Sequence, residues 1–129
     1  MSDKAQKDWV TARSRCSLPN VFKELMLQVE GDVKTRNALR PNNSPYEFSL
    51  KENGDEFTVI LTASDAHKSI IFSLTGHAIE VRDFRGKELF DVTLTFNDEG
   101  ECKLNVQEKE LELWQVRRMA LEELLFRGY

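Results

Sequence analysis

Five short turns between Tyr46 and Gln107 agree with one another in spacing, and that agreement constrains the fold more than any other feature of the chain. Apolar residues alternate along the runs between them, as in strands with one buried face. Asn53-Gly54 is the strongest short hairpin signal, a type I′ turn, and predicts Leu50 opposite Phe57, Phe48 opposite Val59 and Tyr46 opposite Leu61. A four-residue loop, Asp65-Ala66-His67-Lys68, predicts Ala63 opposite Ile70, Leu61 opposite Phe72 and Val59 opposite Leu74. Gly76-His77 sets Leu74 against Ile79 and Phe72 against Val81, and Arg85-Gly86 sets Val81 against Phe90 and Ile79 against Val92. Asp98-Glu99-Gly100 sets Phe96 against Cys102, Leu94 against Leu104 and Val92 against Val106. A one-residue slip at any turn would throw a strand's apolar set onto the wrong face. The expectation is a six-stranded antiparallel meander over about 46–107.

Helical periodicity flanks the meander on both sides. Ser17 reads as an N-cap with Pro19 in the first turn, and Phe22, Leu25, Met26, Val29 and Val33 form one apolar face to about Leu39. Pro41-Asn42-Asn43-Ser44-Pro45 ends that helix. Leu111, Leu113, Trp114, Val116, Ala120, Leu121, Leu124 and Leu125 predict a second helix over about Glu112–Phe126. Each helix and the sheet has one apolar face, so the economical fold is α+β, with both helices on one face of a curved sheet. Residues 1–16 read as a flexible or short helical segment and 17–129 as a single domain.

With 129 residues and 31% of them charged, the chain is long and polar enough for one packed domain without metal or disulfide staples. The net charge of −4 gives no overall attraction to nucleic acid or to an anionic membrane. Residues 1–40 hold eight Lys or Arg against five Asp or Glu, a local +3 that leaves −7 for the remainder. Those basic residues lack interleaved aromatics apart from Trp9, which disfavours nucleic-acid binding. Met1–Lys7 is polar and no apolar run approaches the ~20 residues of a membrane span. Cys16 and Cys102 are far apart in sequence and read as free thiols, with a single disulfide left open. Together these features point to a cytoplasmic location.

The meander's register also defines its outer face. Thr58, Ile60, Thr62, Ser69, Ile71, Ser73, Thr93 and Thr95 point away from the helices and carry no charge. A solvated face usually holds more long charged side chains, so these eight are the candidate partner-binding residues, for a second copy or another protein. The competing reading is that Thr and Ile simply favour strands. Glu80 and Asp91 fall directly opposite one another on that face, an arrangement that destabilises a sheet unless something offsets it. A shared proton or metal is one resolution, and a solvated pair relieved by Arg82 is the other.

Other chemistry is sparse. His67 and His77 sit about 30 Å apart at opposite ends of one strand, given a rise of ~3.3 Å per residue, and cannot share a metal. The turns carrying Asp55, Glu56, His77, Asp98 and Glu99 share one rim, without zinc or EF-hand spacing. Cys16 beside Arg13 and Arg15 is a nucleophile candidate without a visible base. Arg117 interrupts the apolar face of the last helix; it either snorkels past the sheet edge or pairs a buried carboxylate or ligand. Trp114 and Phe126 read as core or docking residues. No metal site and no cofactor is expected.

These residues support a non-catalytic interaction module working through its outer sheet face. One alternative is a carrier for a small apolar ligand held between sheet and helices, where Tyr46, Phe48, Phe57, Phe72, Phe90 and Phe96 would line the space. In outline that arrangement resembles helix-grip lipid-binding domains, although the strand those domains place before their first helices is not evident here. The other alternative is a small enzyme using Glu80 with Asp91, or Arg117 with a pocket carboxylate.

Overall fold

The computed structural model describes residues 7–63 and 67–127. Two helices, α1 (Trp9–Arg15) and α2 (Leu18–Ala38), precede an open antiparallel sheet. Its strands are β1 (Glu47–Asn53), β2 (Glu56–Thr62), β3 (His67–Leu74), β4 (Ile79–Asp83), β5 (Glu88–Phe96), β6 (Cys102–Val106) and β7 (Lys109–Leu111). They lie in sequence order, and α3 (Leu113–Arg127) follows. The meander therefore has seven strands rather than six. The extra hairpin turns at Gln107 and Glu108, both at positive φ (52° and 68°), which is the backbone of a type I′ turn built without glycine.

Three of the five expected registers hold: Leu74 faces Ile79, Val81 faces Phe90 and Leu94 faces Leu104. The first two turns are corrected. Asn53 pairs with Glu56, so the two-residue loop is Gly54-Asp55, with positive φ at Gly54 alone of the pair, as a type II′ turn requires. Leu50 then faces Val59 and Phe48 faces Leu61. In the next hairpin Val59 faces Ile70, Phe57 faces Phe72 and Leu61 faces Lys68. The expected loop centre, Asp65 and Ala66, lies outside the described residues, as do residues 1–6 of the expected flexible start. Both corrections shift the pairing by an even number of residues. Every side chain stays on its expected face, and the gain is a cross-strand aromatic pair with Phe57 and Phe72 stacked at 4.5 Å.

Both long helices cover one face of the sheet. Val21, Phe22, Leu25, Val29 and Val33 of α2 and Val116, Ala120, Leu121, Leu124 and Leu125 of α3 join the inward residues of β1–β6 in one core. Ser17 caps α2 by accepting from the Asn20 amide, and Gln115 caps α3 by accepting from the Glu112 amide. Arg36 is buried between the layers. It donates to the Leu125 carbonyl, one of the last in α3, and its guanidinium lies over the Tyr46, Phe48 and Phe126 rings. It is thus not part of a basic surface. Next to it in α2, the Asn37 amide donates to the Phe48 carbonyl and accepts from the Phe48 N–H. It occupies backbone groups that edge strand β1 would otherwise offer to a further strand.

The free-thiol expectation is overturned. The end of α1 lies against β6, Cys16 and Cys102 are 5.4 Å apart at Cα, and a disulfide joins them. Cys16 is also buried, so it offers no nucleophile. Among the described residues no helix is long and apolar enough to cross a membrane.

Candidate functional site on the outer sheet face

The outer face is the side of the sheet that neither α2 nor α3 covers. Six of the eight candidate residues come together there on the adjacent strands β2 and β3, with Thr58 beside Ile71, Ile60 beside Ser69 and Thr62 beside His67. Ser69 is buried, Ile60, Ile71, Thr58 and Ser73 are half-buried, and Thr62 is exposed. Thr93 and Thr95 do not join them. They sit on β5, beyond β4, and the Thr95 hydroxyl accepts from the Asn105 amide of β6. The site is therefore a two-strand patch of hydroxyls around Ile60 and Ile71, narrower than the sequence implied.

Charges border this patch in rows across the strands. One row runs Lys51, Thr58, Ile71, Arg82, and the next runs Asn53, Glu56, Ser73, Glu80, Asp91. Arg82 leans from the first row into the second. Its guanidinium lies 3.5 Å from the Glu56 carboxylate and donates to the Ser73 hydroxyl, which donates in turn to Glu56. Among the described residues Arg82 thus pairs with Glu56 and not with the Glu80–Asp91 couple, which does face itself across β4 and β5. No group of three or more His, Cys, Asp or Glu side chains able to hold a metal occurs among the described residues.

Arg117 lies far from this face, between α3 and α2. Its Nε is 2.9 Å from Oδ2 of Asp32, and its Nη1 donates to the Gln28 side chain. Burial pushes the Asp32 carboxyl above its ordinary pKa, and the Arg117 guanidinium pulls it back only in part. The pair helps to line a groove of about 360 Å³ whose exposed lining includes Leu39, Trp114 and Phe126. Trp114 and Phe126 are 53% and 60% exposed, which places them outside the core. Asp32 could not be assigned to Arg117 from sequence, because the pairing depends on how α2 and α3 cross. Their i, i+4 placement within each helix gives no hint of it.

Aromatic side chains pack between sheet and helices. Phe22 lies 5.1 Å from Phe57, Phe57 stacks on Phe72, and all three side chains are buried. Compared with known proteins, the chain matches no family model, and no curated protein or solved structure is significantly similar to it.

Proposed function

We propose that this chain is a non-catalytic interaction module that presents the β2–β3 part of its outer sheet face to a protein partner. The observation that carries the reading is the one-sided covering of the sheet. Both long helices lie on one face, and the bare face holds a branched apolar centre, Ile60 and Ile71, within uncharged hydroxyls. A partner that covers this centre removes apolar surface from water at roughly 25 cal/mol per Å². Lys51, Arg82, Glu56 and Glu80 at its border supply charges of both signs for orientation. The carrier alternative asks for open space between sheet and helices, where aromatic side chains already pack against one another. The paired-carboxylate alternative asks for a concave site around Glu80 and Asp91, which lie on a sheet face.

A cytoplasmic location remains part of the proposal. A reducing compartment would hold Cys16 and Cys102 as neighbouring thiols, whereas an oxidising one would keep them bonded.

The test is affinity isolation of the tagged chain from its own cells beside the Ile60→Lys, Ile71→Lys variant. The expected outcome is a stoichiometric protein companion, or a second copy, that the variant loses while keeping its circular dichroism spectrum. Equal recovery of the same companion by both proteins would remove the sheet face from the account.

A further inference from the structure

The exposed side of α3 carries a chemical palindrome. Trp114, Arg118, Glu122 and Phe126 follow one another at four-residue spacing, so they form a single i±4n ridge about 18 Å long. Read in either direction the ridge begins and ends with an aromatic ring and holds two opposite charges between. Arg118 and Glu122 already pair within the helix at 2.9 Å, yet their side chains remain 64% and 41% exposed. The two rings are more exposed than any core position would allow. Phe126 is held in place from beneath by the Arg36 guanidinium, 4.9 Å from its centroid. A depression flanks the ridge on each side. One is the α2–α3 groove with Leu39 in its lining, and the other is bounded by Leu111, Gln115, Met119 and Glu123.

We propose that α3 is a self-association face on which two copies of this chain pair antiparallel about a two-fold axis that passes between Arg118 and Glu122. A two-fold axis makes residue i of one copy meet residue j of the other, and j meet i. Centred there, it places Trp114 against Phe126 of the second copy and Arg118 against Glu122 of the second copy, each contact occurring twice. Few other occupants match an aromatic–cation–anion–aromatic order as well as the same order reversed. Ridges of the i±4n class pack into one another's grooves when helices cross at about 50°, and the flanking depressions give each ridge a groove to enter. The pairing goes beyond the sheet-face reading and does not depend on it. Because α3 lies on the inner side of the sheet, the dimer would leave both outer faces bare and give the module two binding sites.

The test is a concentration series by sedimentation velocity, with circular dichroism as the check on folding. Wild type is expected at twice the chain mass. Arg118→Glu alone and Glu122→Arg alone each set like charges against one another twice and should weaken the dimer about tenfold or more. The combined Arg118→Glu, Glu122→Arg protein keeps an i, i+4 pair within the helix and restores opposite charges across the axis. It should recover most of the affinity. Trp114→Glu should be monomeric. A monomeric wild type overturns the proposal, as does a dimer indifferent to single reversals or one that the combined exchange fails to rescue. A dimer abolished by Ile60→Lys, Ile71→Lys and untouched by α3 variants would move self-association to the sheet and leave the sheet-face reading standing.

Discussion

Asp32 shows how one residue's environment decides its effect. Its carboxylate is partly desolvated between two helices, and the cost of burial outweighs the attraction of Arg117. The folded protein therefore holds a proton on Asp32 more tightly than the unfolded chain does. A carboxyl with a raised pKa contributes stability that is fully present below the ordinary value of 3.8 and is lost as pH rises through the folded value. Relative to Asp32→Asn, which does not titrate, the wild type should lose stability as pH climbs from about 3.8 toward neutrality. Urea midpoints of both proteins at pH 3.5 and pH 6.5 check the sign. A wild type that gains on the variant over that interval would show that Arg117 dominates. Arg36 illustrates the limit of reading charge from sequence. It counts toward a basic N-terminal segment, yet it is buried, bonded to the last turn of α3 and stacked on aromatic rings.

At the scale of elements, alternation determined faces more reliably than partners. The β1–β2 and β2–β3 pairings differ from expectation by even shifts, which preserve the inward set and so leave the hydrophobic pattern silent. One deciding contribution is non-local, the Phe57–Phe72 stack, and the other is the Gly54-Asp55 loop, which moves the turn by one residue. β7 escaped notice because its turn uses Gln107 and Glu108 at positive φ, where Asn and Gly are the usual signal. Both long helices were legible from their apolar spacing, and in α2 the Ser17 cap agrees with the placement of Phe22 and Leu25. The outer-face candidates were legible as a face. Their division into a β2–β3 cluster and a separate Thr93–Thr95 pair follows from the sequential strand order that the meander already implied.

For the whole molecule the Cys16–Cys102 bond is the longest-range constraint. It closes an 86-residue separation and ties α1 to the far side of the sheet. In the chain-entropy picture a loop of that size contributes about 4.6 kcal/mol. Reduction, or the Cys16→Ser, Cys102→Ser protein, should lower the free energy of unfolding by about that amount, and an unchanged denaturation midpoint would mean that the bond adds nothing. The layered plan, with helices on one side and a bare hydroxyl-rich face on the other, is what motivates the proposed interaction module. The most direct measurement of it is site-specific photo-crosslinking in the cell of origin, with the probe at Thr58 or Thr62 and a control probe at Lys23 on α2. A discrete protein adduct is expected from the sheet positions, none from Lys23, with loss of the adduct when Ile60→Lys is added. Sheet positions that yield no adduct under those conditions would contradict the proposed module.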